Sequence, residues 1–197
     1  MNGTVLLVHG FNVRDNGQST VARLSPYFLT RGWDTIVFRC GWMRLIAVYT
    51  QNKSHAKRLA KAAFNAKLQS NSPVVALGHS NGCAVLHLAT TVYGAPIDRL
   101  AYINPALEKE LVPGDAVKRC DVWFSPSDKP VRWAKYLPKH IWGEMGRTGY
   151  IGDDPRMINH NKEDGMLVSS DEHSDFASAE KLAFFGPLIT STLTEWT

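Results

Sequence analysis

Residues Val74–Cys83 read VVALGHSNGC, and the rest of the chain is best interpreted outward from them. The apolar, β-branched start of this segment predicts a buried strand, and the apolar spacing after residue 83 predicts a helix. Between the two lies Gly78-His79-Ser80-Asn81-Gly82, a GxSxG sequence. At a strand-to-helix junction this motif is typical of a nucleophile elbow, a sharp turn that presents a serine hydroxyl beyond the end of a strand. We therefore predict that Ser80 is a catalytic nucleophile.

The amino-terminal segment contains a second motif. Thr4–Val8 has the pattern of a short buried strand, and His9-Gly10-Phe11 follows it directly. A tetrahedral oxyanion needs two fixed N–H donors, and the helix that follows a serine elbow supplies only one of them. We assign the two donors to the backbone N–H groups of Phe11 and Asn81. In this interpretation the glycine of the loop lets a substrate approach, and the histidine braces the loop.

Together these motifs resemble the α/β-hydrolase superfamily, and the resemblance covers nearly the whole chain. It implies the chain order nucleophile, acid, histidine. The acid should follow a late strand, and Asp128 ends the segment Arg119–Asp128, which has that form. Its role would be to orient the histidine and to stabilise its protonated state. Asp121 would begin the same strand at the opposite edge, and Asp153 and Asp154 fall in a polar loop, so the resemblance favours Asp128.

The same resemblance places the general base in a loop after the last strand, close to the carboxyl terminus. Residues 165–170 have a strand pattern, and the following loop, 171–176, contains His173. His173 is therefore the predicted base. The competing histidines occur in other contexts: His55 and His87 in helical patterns, His79 inside the elbow, and His140 and His160 between the acid and the last strand.

Strand and helix patterns alternate along the chain. This alternation predicts an α/β protein with a mainly parallel sheet of about six strands and helices on both faces. Besides the elbow strand, predicted strands cover residues 4–8, 35–39, 99–103, 116–124 and 166–169, and a long helix covers 54–68. The final helix is predicted to start at Gly186-Pro187, with the proline in its first turn. The resemblance implies the α/β-hydrolase fold for this pattern.

The spacing leaves no room for the helical cap domain that many α/β-hydrolases carry, because few residues separate Asn104-Pro105 from the strand with Asp121. The one long insertion is 129–164, between the predicted acid and the predicted last strand. Its Trp142 is a candidate lid or pocket wall, although aromatic residues covering a sheet edge explain the composition equally well. Trp42 is expected to rim the pocket on the opposite side, and Gly10 and His79 are expected to contact substrate.

Length and composition agree with a single globular unit. A chain of 197 residues predicts one domain, residues 1–197. Hydrophobic residues make up 44% of the chain and charged residues 20%, which is enough for a sizeable core. Cys40, Cys83 and Cys120 form no CxxC pair and no metal-like spacing with histidine. We therefore expect reduced, buried thiols and no metal site.

Charge and hydropathy limit the classes of partner that the protein is expected to bind. The net charge is +4, but the basic residues are dispersed and no Lys/Arg-rich block occurs, so no nucleic-acid partner is expected. No apolar stretch is long enough to span a bilayer, and the first residues lack the pattern of a signal peptide. We predict a soluble cytoplasmic protein with a small-molecule or acyl substrate. The oligomeric state stays open.

The resemblance and the motifs imply a small serine hydrolase that cleaves an ester or thioester through an acyl-enzyme. Ser80, Asp128 and His173 would form its triad, and no metal or organic cofactor is needed. Three alternatives stay open, because fold and triad are shared by many chemistries. They are an amidase or peptidase-type acyl hydrolase, a non-catalytic α/β-hydrolase-like binding protein, and a non-hydrolytic relative that keeps the same side chains.

Overall fold

Six parallel strands form one sheet in the order β2-β1-β3-β4-β5-β6. The computed structural model describes residues 2–11, 13–41, 48–130, 142–162 and 173–195. The strands are β1 Gly3–Val8, β2 Trp33–Phe38, β3 Val74–His79, β4 Arg99–Ile103, β5 Arg119–Phe124 and β6 Met157–Asn161. The six-stranded parallel sheet confirms the predicted fold class. Its order reverses direction between β1 and β3, the place where open α/β sheets bind ligands beyond the carboxyl ends of their strands.

Helices cover both faces of the sheet, as expected for parallel strands joined by crossovers. They are α1 Ser25–Leu29, which follows the 3₁₀ turn Val21–Leu24, then α2 Val48–Ser70, α3 Asn81–Thr91, α4 Met145–Thr148 and α5 Ala179–Thr194. The described connection between β4 and β5 is only residues 104–118 and contains no helix, so no cap domain is inserted there. The predicted absence of a cap is confirmed.

The strict alternation of strand side chains divides the core in two. On one face Leu6, Ala76 and Val122 pack with residues of α2 and α3 such as Leu59 and Val85. On the other face the next residues along the strands pack against α1 and α5; this set includes Val5, Leu7, Leu77, Ile103, Trp123, Phe28, Phe185 and Ile189. Because β1 and β3 are buried on both faces, they are continuous apolar runs that are easily recognised from sequence.

The position of the sixth strand corrects one prediction. β6, Met157–Asn161, lies inside the stretch 129–164 that was interpreted as an insertion, and it pairs with β5. The predicted last strand, 166–169, lies outside the described residues. β6 was missed because an edge strand has only one neighbour, and its sequence MINHN leaves several side chains partly or fully exposed.

The final helix also starts earlier than predicted. Ser178 caps it, since its side chain accepts a hydrogen bond from the Lys181 N–H at 3.3 Å, and Pro187 lies inside the helix. The prediction from Gly186-Pro187 was wrong because a serine cap and a buried apolar face, with Leu182 and Ile189, determine the helix. Proline removes one backbone donor but does not end the helix there.

Among the described residues, no helix combines the length and the apolar character that crossing a bilayer requires.

Candidate active site

Ser80 occupies the turn between β3 and α3. Its φ is 54°, in the left-handed region that a residue with a side chain rarely adopts. The turn is held by the Ser80 N–H, which donates to the Ile103 carbonyl at 3.0 Å, and by the close approach of α3 to β1. A Cβ at Gly82 would lie 2.4 Å from the Val8 carbonyl oxygen, so only glycine fits. This is the strained strand-to-helix turn that the GxSxG sequence predicts.

The loop after β1 lies beside this serine. A Cβ at Gly10 would come within 2.9 Å of the Ser80 Cβ, so the two loops are in direct contact. The Cys40 N–H donates to His9 Nε2 at 3.2 Å, which puts the ring proton on Nδ1, where it donates to the Gly10 carbonyl at 3.0 Å. Burial lowers the pKa of His9, against the opposing effect of that carbonyl. His9 is thus a neutral brace for the loop that contains Phe11.

His173 and Asp128 form a hydrogen-bonded pair at the same edge of the sheet. His173 Nδ1 lies 2.7 Å from Asp128 Oδ2, and the carboxylate is fully buried while the imidazole is partly exposed. Asp128 follows β5, and its N–H donates to the Ser125 carbonyl at 3.0 Å, which fixes the turn. Two residues 45 positions apart, predicted as acid and base, are therefore brought together.

Asn104 is a member of this site that sequence analysis did not single out. Its side-chain amide donates to Asp128 Oδ2, and its backbone has a φ of 45°. The residue is fully buried at the end of β4, and its N–H donates to the Trp123 carbonyl at 2.8 Å. A polar residue placed directly after an apolar strand and before Pro105 is the signal that could have revealed it.

His79, predicted to contact substrate, lies beneath the His173 turn. It is 2% exposed, and its Nε2 donates to the His173 carbonyl at 3.0 Å. Its ring packs against the rings of His173 and Phe176 at centroid distances of 4.8 and 5.1 Å. Burial, with a smaller effect of His173, lowers the pKa of His79 to about 3, so the ring stays neutral. This placement favours support of the turn over contact with a substrate.

Asn81 joins the elbow to two distant segments. Its side-chain amide exchanges two hydrogen bonds with that of Asn52 on α2, at 3.0 and 2.9 Å. Its Oδ1 also accepts from the Trp142 indole N–H at 2.7 Å. The indole packs against Phe11 at 5.3 Å and is 8% exposed, so both residues predicted as oxyanion donors touch Trp142. No sequence signal pointed to Asn52, since its contact depends on how α2 packs.

The rival candidates lie elsewhere or outside the described residues. Asp121 is the third residue of β5 and pairs with Arg119 and His160, away from the elbow. Asp153 and Asp154 lie in the loop before β6, as expected. His55 and His87 are on α2 and α3. His140 and Trp42 lie outside the described residues.

Within the described part of the chain, no group of three or more His, Cys, Asp or Glu side chains could hold a metal ion. The three cysteines there are buried and unpaired with one another, and burial raises the pKa of the Cys40 thiol to about 12.

The architecture has close counterparts among solved structures. A protein from Xanthomonas campestris, described as a hydrolase of the α/β superfamily, is 17% identical and superposes with a TM-score of 0.58, covering 96% of this chain and 99% of its own. A lidless α/β serine hydrolase from the same organism is 12% identical, with a TM-score of 0.58 and coverages of 98% and 84%. An α/β hydrolase from a lagoon-sediment metagenome is 13% identical, with a TM-score of 0.59 and coverages of 98% and 90%.

The chain has the α/β-hydrolase fold. Neither a family model nor a curated protein matches the sequence. The carboxyl ends of the parallel strands share one edge of the sheet, where Gly10 follows β1, Ser80 follows the neighbouring β3, and Asp128 follows β5, which β4 separates from β3. The lidless neighbour shows that the fold is complete without a cap, in agreement with the short β4–β5 connection of this chain.

Proposed function

We propose that this protein is a serine hydrolase that cleaves an ester or thioester through an acyl-enzyme intermediate. One observation carries the proposal: the hydrogen-bonded pair of His173 and Asp128 lies directly beside the strained serine turn. The link is His79, the residue before Ser80, which hydrogen-bonds the His173 backbone. Because Nδ1 of His173 faces the carboxylate, Nε2 is the nitrogen left to act on the serine hydroxyl.

In the acylation step, Ser80 Oγ attacks the carbonyl carbon of the substrate while His173 Nε2 accepts the hydroxyl proton. The negative charge that develops on the carbonyl oxygen would be held by the backbone N–H groups of Phe11 and Asn81. The Asn81 N–H is the first of helix α3, so it has no partner within the helix, and the helix dipole favours an anion there. Protonated His173 then gives its proton to the leaving alcohol or thiol.

In the deacylation step, His173 takes a proton from water, and the hydroxide equivalent attacks the acyl-serine. The second tetrahedral intermediate collapses to a carboxylic acid and free Ser80, with the proton returned by His173. The Asp128 carboxylate stabilises the imidazolium in both steps and is itself held by the Asn104 amide. These four side chains and two N–H groups account for the whole cycle without a cofactor.

Trp142 is proposed as a wall of the acyl site, since it packs against Phe11 and hydrogen-bonds Asn81. Its near-complete burial means that it also contributes to the core. Within the described part of 129–164, Trp142 would then contribute to selectivity. The small-molecule or acyl substrate and the cytoplasmic location stay predictions from the sequence.

The test is labelling with a fluorophosphonate probe, which reacts covalently with an activated serine. We expect the wild-type protein to be labelled and Ser80→Ala to be unlabelled, with thermal unfolding nearly unchanged because only one hydroxyl is removed. Ser72→Ala, at a half-buried bend before β3, is the matched control and should be labelled normally. A wild-type protein that is neither labelled nor able to cleave activated esters would refute the proposal. p-Nitrophenyl esters, the corresponding thioesters and anilides then identify the leaving group.

A further inference from the structure

A buried lysine lies behind the candidate site and plays no part in the chemistry above. Lys162 follows β6, is 1% exposed, and its backbone N–H donates to the Phe124 carbonyl at 2.8 Å. That bond ties it to the end of β5, four residues before Asp128. A fully buried lysine is uncommon, because an ammonium group loses its favourable hydration when it leaves water. A buried lysine is therefore expected to pair with a group of opposite charge.

The partner is Asp175, which belongs to the turn that carries His173. Lys162 Nζ lies 3.2 Å from Asp175 Oδ1, and both side chains are buried. Asp175 begins a 3₁₀ turn, Asp175–Ala177, two residues after His173. The ion pair therefore connects the end of the sheet, where the acid is anchored, with the segment that holds the base.

A second lysine binds the same carboxylate in a different way. Lys181 Nζ lies 2.7 Å from Asp175 Oδ2, but it comes only six residues later, at the start of α5. This ion pair is local, because it joins the turn to the helix that follows it in the chain. Of these two ion pairs, the one with Lys162 joins the residue after β6 to the turn. The two lysines thus offer a matched comparison on one carboxylate.

We propose that Lys162 is a positioning residue for His173: through Asp175 it holds the His173 turn at hydrogen-bonding distance from Asp128. The inference rests on the proposed function, in which His173 is the base. Two further contacts act in the same direction, since His79 holds the His173 carbonyl and Phe176 packs on the His79 ring. Those contacts fix the turn against β3, and Lys162 fixes it against β5 and β6. Removing that ion pair should let the imidazole move away from Asp128.

The direct test compares Lys162→Met, which keeps length and burial, with Lys181→Met. For Lys162→Met we expect kcat on p-nitrophenyl acetate to fall by about 10²-fold with KM little changed, since a shift of about 1 Å in a catalytic group can cost that much. Lys181→Met should stay within a few-fold of the wild type, since its pair is local. Equal effects of both variants on kcat, or wild-type kcat in folded Lys162→Met, would overturn the proposal.

Proton NMR separates this proposal from the proposed function. A nitrogen-bound ring proton shared with a carboxylate resonates far downfield, and the His173 signal can be assigned by its loss in His173→Gln. We expect that signal to shift or broaden in Lys162→Met and to persist in Lys181→Met, while the signal from His160, paired with Asp121, stays unchanged in both. If the wild type proves inactive but the signals behave this way, the positioning role stands and the proposed reaction fails.

A variant that cannot fold would not decide the matter, so Asp175→Asn provides a second route. The amide keeps the shape of the side chain and can still accept one hydrogen bond, but it removes the charge. We expect a loss of kcat at least as large as that of Lys162→Met, because both lysines lose their charged partner, together with the same change in the His173 signal. An unchanged His173 signal in folded Asp175→Asn would overturn the proposal.

Discussion

The protein contains two Asp–His pairs near β5, His173 with Asp128 and His160 with Asp121. Both have an N···O distance of 2.7 Å, but their surroundings differ. His173 reaches Asp128 from a turn beyond the carboxyl ends of the strands. His160 reaches Asp121 across the β5–β6 pairing, from strand to strand. The first pair borders the serine turn through His79, and the second borders α5 and the sheet edge. Distance alone therefore does not distinguish a candidate catalytic pair from a structural one.

The two aspartates differ in the side chains that donate hydrogen bonds to them. Asp121 receives two hydrogen bonds from the Arg119 guanidinium, at 2.9 and 2.7 Å, and His160 stacks flat on Trp123 at 4.2 Å. Asp128 receives a neutral donor, the Asn104 amide. The Arg119 guanidinium neutralises the carboxylate that it bonds, whereas the Asn104 amide orients the Asp128 carboxylate without adding a charge of its own. These hydrogen bonds favour a structural role for Asp121 at the sheet edge, and the catalytic role is the one proposed for Asp128.

The largest difference in activity is expected between the variants that remove one imidazole each. His173→Ala is expected to lower kcat/KM on p-nitrophenyl acetate by roughly 10³- to 10⁶-fold, the range known for triad members. His160→Ala should keep most of the activity. Steady-state kinetics of folded proteins, checked by circular dichroism, measure both. A large loss in His160→Ala with an active His173→Ala would reverse the assignment of the two pairs.

The two carboxylates should separate activity from stability. Asp128→Asn keeps the shape but favours the wrong histidine tautomer, so we expect kcat to fall by about 10⁴-fold. Asp121→Asn should instead leave kcat nearly unchanged and lower the free energy of unfolding by roughly 2 to 3 kcal/mol, because bonds to a charged donor are weakened. Ester kinetics measure kcat of both variants, and urea denaturation measures their free energies of unfolding. Loss of activity in Asp121→Asn at full stability would contradict the comparison.

Asn104 tests whether the neutral donor matters. Asn104→Gly removes the amide but tolerates the left-handed backbone, so the fold should be retained. We expect kcat to fall by about tenfold, the loss that corresponds to one hydrogen bond to a charged group. Asn104→Asp supplies an informative second variant, since a carboxylate there would repel Asp128. Wild-type kcat in both variants would show that Asp128 needs no support from β4.

The smallest effect concerns pH and His79, which supports only the first pair. Its pKa is lowered from 6.5 to about 3 in the folded protein, chiefly by burial. Between those values the unfolded chain binds a proton that the folded protein excludes, so stability falls as pH drops from 6.5 towards 3. The expected contribution is about 1.4 kcal/mol per pH unit. Urea denaturation at several acidic pH values should show that the free energy of unfolding depends less steeply on pH in His79→Gln than in the wild type. Equal pH dependence in the two proteins would refute the prediction.

Much of the site could be predicted because its motifs are local. The GxSxG sequence specifies its own turn: two glycines, an apolar strand before and an apolar helix after all lie within 20 residues. Chain order predicts Asp128 and His173 as acid and base, and the structure brings the two residues into contact. β6 was missed and the start of α5 was misplaced, because an exposed edge strand lacks an apolar pattern and a serine cap outweighs a later proline.

Local sequence therefore accounts for the parallel sheet, the buried strands and the position of Ser80, since hydrophobic period and glycine placement act over a few residues. Tertiary packing alone decides which distant side chains meet. Asn104 reaches Asp128 across 24 positions, Asn52 reaches Asn81 across 29, and His79 reaches His173 across 94. These contacts depend on strand order and on how helices seat against the sheet. Single polar residues show no period that would reveal such partners, so the choice between two Asp–His pairs rests on the folded structure.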